Sequence, residues 1–181
     1  MKGLRAIACG AALAASALPA SSSAGGAAAT YRDAVGDAFE APDVATVTIA
    51  EVDTGRLAVT IGLAEPTELG RYGWILLGID TDRNQRSGGM HGSEAIVFVN
   101  GEEAVLLRLG RGVTPIPARV SGREVAFTLE VADLGVHSFD FAVATLRRHA
   151  DVAPDHGVFA YPAELPRGAP PPSRVPAAPK R

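Results

Sequence analysis

The sequence is poor in cysteine, lysine and aromatic side chains, and each shortage removes a class of explanation. Cys9 is the only thiol, and it lies within an apolar leader, so no disulfide can brace the rest of the chain. Stability must therefore come from packing or from a bound ion. Lys2 and Lys180 are the only lysines, every other basic residue being arginine. The familiar catalytic signatures are missing too: there is no Gly-x-Ser-x-Gly, no His-Glu-x-x-His and no glycine-rich phosphate or dinucleotide loop. The four histidines, His91, His137, His149 and His156, have no metal-ligand spacing between them and read as solvated loop residues. Glu124 and Glu130 could be drawn as a glycosidase pair, but a chain of this size yields such a pair by chance. The expectation is a protein that is not an enzyme, with a hydrolase of unfamiliar site as the minor rival.

Charge is unevenly divided. Residues 30–162 hold 11 arginines against 19 acidic side chains, a balance of −8, whereas residues 163–181 hold four basic groups against Glu164 alone. An acidic domain argues against nucleic acid, whose phosphates select basic surfaces, and is compatible with cation binding.

The first residues form a basic n-region with Lys2 and Arg5. An apolar run over 6–18 comes next, and small residues over 20–29 supply a cleavage zone. This is the pattern of a cleavable secretory signal over residues 1–26. The run is too short to serve as a transmembrane span, which needs about 20 apolar residues. Acylation at Cys9 is the rival, but it would leave too short an export segment. The mature protein is expected to be secreted, monomeric and extracellular.

Short β-rich runs separated by turn residues fill the middle of the chain. Residues 44–52 and 56–63 alternate apolar and polar side chains around Asp53-Thr54-Gly55, and 94–99 and 104–109 flank Asn100-Gly101-Glu102; both predict hairpins. The nearly continuous apolar run 73–79 predicts a central strand covered on both faces, with Trp74 in the core. Residues 110–120 carry Pro115 and Pro117 and are expected at a sheet edge. Strands over 123–129, 139–146 and 158–161 complete the pattern, with one helical turn over 130–135. No stretch sustains a 3.6-residue period. The fold class is therefore all-β, an antiparallel sandwich of the jelly-roll or Ig-like kind with eight or nine strands over residues 27–162. Six prolines in 163–181 predict a disordered basic tail, either inert or a tether to an anionic cell envelope.

The sharpest local feature comes directly after the central strand: Asp80-Thr81-Asp82-Arg83-Asn84. Oxygen side chains at alternate loop positions are how hard cations such as Ca²⁺ are held, and Asp80, Asp82 and Asn84 satisfy that spacing, with Glu94 the nearest further ligand. An EF-hand is excluded, because Gln85 stands where glycine is required and His91 where the closing glutamate belongs. The competing reading is that the two aspartates only cap a turn through their backbone. A near repeat, Glu40-Ala41-Pro42-Asp43 and Asp151-Val152-Ala153-Pro154-Asp155, presents carboxylates from two stiff turns that converge if the first and last strands are neighbours. Asp37, Asp43, Asp151 and Asp155 could also complete the Asp80 loop from distant chain, and turn punctuation is the plain alternative. Tyr31, Tyr72 and Tyr161, at strand ends, are the aromatic rings best placed to contact a ligand.

Taken together, Asp33-x-x-Gly36-Asp37, Ala41-Pro42-Asp43-Val44, Ile79-Asp80-Thr81-Asp82-Arg83-Asn84, Gly92-Ser93-Glu94 and Asp151-x-x-Pro154-Asp155 resemble bacterial extracellular β-sandwich domains. These are similar to the family-9 carbohydrate-binding modules and DOMON-like domains. The resemblance spans roughly residues 30–162. It implies a structural Ca²⁺ site at Asp80, Asp82, Asn84 and Glu94, although related sequences often have Asp and an aromatic where Glu94-Ala95 stands here. It also implies a secreted binding or accessory module for polysaccharide or a cell-envelope component, the alternative being an extracellular protein-interaction or adhesion domain.

Overall fold

The structure is a computed structural model, and it describes residues 28–70, 73–101 and 103–162. The predicted signal segment, the basic tail and Tyr72 lie outside these residues. Among the described residues there are eleven strands: β1 (Ala28–Arg32), β2 (Val44–Asp53), β3 (Arg56–Leu63), β4 (Trp74–Asp80), β5 (Ala95–Asn100), β6 (Glu103–Arg108), β7 (Gly112–Ser121), β8 (Glu124–Glu130), β9 (Phe139–Leu146), β10 (Ala150–Ala153) and β11 (Phe159–Tyr161). The one α-helical turn, α1 (Val131–Leu134), ends on Gly135 in the left-handed region, φ 77°. All pairings are antiparallel, in the order β1-β2-β3-β8-β7-β6-β5-β4-β9-β10, with β11 also on β9.

Both hairpins form as predicted, the first from alternation and the second from its Asn-Gly turn. In β2 and β3, Val47 faces Ile61 and Ile49 faces Val59, and the Gly55 N–H donates to Asp53 Oδ1 at 3.0 Å to close the turn. In β5 and β6, Val97 faces Leu106 and Asn100 faces Glu103, with Gly101 at φ 59°. The apolar run in β4 lies between β5 and β9 and is buried on both faces from Ile75 onward.

The strand count exceeds the eight or nine expected, because β1 and β10 carry no run of branched apolar residues. Their sequences, Ala-Ala-Thr-Tyr-Arg and Ala-Asp-Val-Ala, become strands by pairing with β2 and β9. A second correction concerns β7, which is internal rather than at an edge. Its residues 112–117 pair with β6 and residues 118–121 with β8. Pro115 and Pro117 are two apart, so both missing N–H groups fall on one side of the strand. That is the side without a partner, and β8 begins to pair only at Ala118.

The sheet curls at β7, so that its two halves share one core. Val47, Ile49, Leu57 and Leu129 from the first half and Ile75, Leu77, Val97, Phe139 and Phe141 from the second belong to a single buried apolar cluster. Each such fully buried side chain contributes roughly 1.5–3 kcal/mol relative to exposure. Where β10 approaches β2, the apolar contact gives way to polar stitching. The Thr145 hydroxyl donates to the Pro42 carbonyl, and Asp151 Oδ2 accepts the Val44 N–H at 3.0 Å. Asp151 and Thr145 are register partners, so both bonds hold the chain entering β2 against the last strands.

Trp74 corrects the expectation of a core ring. The inward residues of β4 are Ile75, Leu77 and Ile79, so Trp74 and Leu76 point to the outer face, and Trp74 is 40% exposed beside its register partner Leu146. On that face Leu76, Ile96 and Ala144 form a second apolar cluster with Met90, Phe98 and Val152 packed against it.

Candidate cation site

The segment between β4 and β5 folds back over the outer face of β4, and Gly78 permits the approach. A β-carbon there would stand 2.5 Å from Ser93 Oγ and 3.5 Å from the Met90 methyl. Ser93, buried, donates its hydroxyl to the Met90 carbonyl at 2.6 Å, and the Glu94 N–H donates to the Ile79 carbonyl at 3.1 Å. The loop is also tied sideways. Arg83, with φ 56°, donates to the Tyr161 carbonyl at 3.1 Å and lies 3.4 Å from Asp140 on β9.

These anchors bring Asp80, Asp82 and Glu94 together, each offering a carboxylate oxygen within 4.8 Å of the others. The turn reading accounts for one oxygen of each aspartate. Asn84 N–H is shared by Asp80 Oδ1 at 3.0 Å and Asp82 Oδ1 at 2.9 Å, which is turn capping. Asp80 Oδ2 is left over: Asp80 is 1% exposed, and this oxygen has no hydrogen-bond donor. A buried carboxylate oxygen without a donor is costly, and a cation is the partner that its neighbours favour. The Ser87 hydroxyl lies 3.1 Å from the Asp82 carboxylate oxygens, 3.0 Å from Glu94 Oε1 and 2.8 Å from the Asn84 carbonyl, so one proton serves four acceptors. Glu94 Oε2 accepts from the Thr81 N–H at 2.9 Å and lies 3.2 Å from the Thr81 hydroxyl.

Burial pushes the Asp80 carboxyl up, and the neighbouring Asp82 and Glu94 carboxylates push it further, against the Asn84 N–H that lowers it. The arrangement can hold a metal ion through hard oxygen ligands. Asn84 does not turn its side chain to the group; its Oδ1 accepts the Arg86 N–H at 3.2 Å within the same turn. A cleft of about 200 Å³ opens beside Glu94, lined by Thr81, Arg108, Arg111 and Asp133.

Tyr31 and Tyr161 are placed differently from their expected role. Tyr161 is 4% exposed and packs on Phe139 with ring centroids 5.2 Å apart, so it is a core residue. Tyr31 is partly buried edge-on to Phe141, and its hydroxyl donates to the Ala160 carbonyl at 2.7 Å. Burial, with Tyr161 nearby, pushes that hydroxyl up to about 12, so it stays a donor. Neither ring offers a free face. Trp74, which does, is hidden in the sequence by the apolar run around it.

Asp37, Asp43, Asp151 and Asp155 do not complete the Asp80 loop. Asp80 pairs with Asp140 on β9, whereas Asp151 lies level with Thr145 and, across β9, with Ile75, five residues along β4 from Asp80. No family model, curated protein or solved structure matches this chain.

Proposed function

We propose that the chain is an exported, non-catalytic, Ca²⁺-stabilised β-sandwich that serves as a binding or accessory module for extracellular or cell-envelope glycan. It is the role that a resemblance to family-9 carbohydrate-binding modules and DOMON-like domains implies. The sandwich reading is supported by the two halves of the sheet sharing one core. Export is supported by the signal-like pattern of residues 1–26.

The observation that carries the cation is the buried, donorless Oδ2 of Asp80, the residue that groups with Asp82 and Glu94. The groups that cluster here, Asp80, Asp82 and Glu94, offer only carboxylate oxygen, the ligand type of hard cations such as Ca²⁺ rather than of metals that select thiolate or imidazole, and Ca²⁺ is the member of that class that the resemblance implies. The cation would fix the 80–94 loop and with it the outer apolar face, where Trp74 and Leu146 stand side by side. An indole exposed on a sheet face is the kind of surface on which a sugar ring stacks.

A pull-down of the protein on insoluble polysaccharides and cell-wall fractions tests the glycan assignment. Retention that falls in Trp74→Ala is expected. Recovery of the whole protein in the unbound fraction on every matrix would overturn it.

A further inference from the structure

Positive charge gathers at one place in the acidic domain. Arg147-Arg148-His149 is the only run of adjacent basic residues in 30–162, a stretch whose overall balance is −8. It forms the turn between β9 and β10, closed by the Arg147 N–H donating to the His149 carbonyl at 3.0 Å, and all of residues 146–150 are exposed. His149 is engaged, its Nε2 lying 3.8 Å from the Glu40 carboxylate. Arg147 and Arg148 take part in no ion pair among the described residues.

The turn grows directly out of the apolar outer face. Leu146, the last residue of β9, is the register partner of Trp74 on one side and of Ala150 on the other, so the three stand in one row of about 10 Å at the usual strand spacing. The chain entering Trp74 is fixed. The Asn100 side chain donates to the Gly73 carbonyl at 2.6 Å, and a β-carbon on Gly73 would overlap the Leu69 carbonyl. Beside the turn, Phe39 is 70% exposed, its ring edge-on to His149 with centroids 5.1 Å apart, and the next residue, Glu40, holds φ 65°. Exposed rings thus stand at one end of the row and beside the turn, with two unpaired guanidinium groups between them in the chain.

We propose that this face takes a polyuronate, a glycan chain whose sugars each carry a carboxylate, with sugar rings lying along Trp74 and Leu146 and a carboxylate held by Arg147 and Arg148. The inference rests on the glycan reading above and gives it a substrate class. An indole offers its face to the apolar side of a sugar ring, whereas the planar guanidinium fork matches a carboxylate through two parallel hydrogen bonds. The acidic balance of the rest of the domain repels a densely charged polymer such as a sulfated one. A polyuronate, with one charge on each otherwise neutral ring, meets both conditions. The row crosses β4, β9 and β10, which favours a chain over a single sugar.

The experiment is calorimetric titration of the full chain with polygalacturonate, with its methyl-esterified form, which has the same backbone without the charge, and with dextran sulfate. The variants are Arg147→Ala/Arg148→Ala, Arg147→Lys/Arg148→Lys and, as a control with the same loss of charge on β7 and the turn after it, Arg119→Ala/Arg123→Ala. All four arginines are exposed, so the variants keep the fold, which circular dichroism checks. Polygalacturonate is expected to bind at least tenfold more tightly than the ester. That affinity should fall at least tenfold in Arg147→Ala/Arg148→Ala, be partly kept by the lysine pair and be unchanged in the control. Equal affinity for acid and ester, an equal loss in the control, or a preference for dextran sulfate would overturn the inference and leave the glycan reading standing. No binding to polygalacturonate would overturn it too. The glycan reading survives that result if the pull-down retains the protein on a neutral polysaccharide, and falls with it if no matrix does.

Discussion

Gly92 lies directly against Asp80: a β-carbon on Gly92 would stand 2.8 Å from Asp80 Oδ2, and Gly92 itself holds φ +82°. The same β-carbon would stand 2.6 Å from Gln85 Cα and 2.8 Å from the Asn84 carbonyl, so glycine is required twice, for its backbone angle and for the room it leaves. Gly92→Ala is expected to cost about 1–3 kcal/mol in urea unfolding and to weaken Ca²⁺ binding at the Asp80 loop. A variant with unchanged stability and unchanged affinity would show that the loop relaxes freely around Asp80.

Thr145 and Pro42 make a second test of the fold. Thr145→Val keeps the shape of the side chain but leaves the buried Pro42 carbonyl without its donor. The expected loss is about 1–3 kcal/mol by urea titration, the cost of an unsatisfied buried acceptor.

The pH dependence follows from the direction of the shifts. Asp33, Asp80 and Asp151 are all held above the 3.8 of an unperturbed carboxyl, chiefly by burial. The folded chain therefore binds more protons than the unfolded chain once pH passes 3.8. Their contribution to stability is fully present below that value and is lost as pH rises through the raised folded values. Asp53, lowered by Arg56, works in the opposite sense, but the pair is exposed and contributes little. In EDTA the midpoint is expected to fall as pH rises from 3.8, less steeply in Asp80→Asn, and Ca²⁺ should lessen the fall. Equal slopes in wild type and Asp80→Asn would contradict this.

Trp74 is the only tryptophan in the chain, so its fluorescence reports the outer face directly. Trp74→Ala is expected to cost on the order of 1 kcal/mol, because the ring is 40% exposed. Phe141→Ala, in the core, is expected to cost roughly 3–5 kcal/mol. Acrylamide should quench Trp74 readily, and a glycan that binds the face should protect it.

Alternation made β3, β8 and the middle of β2 legible in the sequence, because each buries every second side chain and the period of two survives on the page. The apolar run of β4 also declared itself, but a run apolar on both faces does not say which face its first residue takes, and so Trp74 was misplaced. β1 and β10 were hidden because Ala-Ala-Thr-Tyr-Arg and Ala-Asp-Val-Ala acquire their strand character from β2 and β9, not from propensity. The proline signal at 115 and 117 was sound locally: that part of β7 does have one unpaired side, yet the strand as a whole joins the two halves of the sheet. At the site, the alternate spacing of Asp80 and Asp82 was readable, whereas the turn of Asn84 toward Arg86 depends on loop geometry that no spacing encodes. The convergence of Asp43 with Asp151 depended on β10 lying near β2, a long-range fact that the repeated Pro-Asp turns could suggest but not establish.

The most direct test of the Asp80 cation site is thermal unfolding of the chain in EDTA and in saturating Ca²⁺, with and without Asp82→Asn. The Asp82→Asn change keeps an acceptor for the Asn84 N–H while removing the charge. An ion at 100 times its dissociation constant stabilises the native state by about 2.7 kcal/mol, which for a domain of this size raises the midpoint by on the order of 10 °C. The predicted result is a rise of that order that disappears with Asp82→Asn. A midpoint that Ca²⁺ leaves in place, or a rise that Asp82→Asn leaves untouched, would contradict the account.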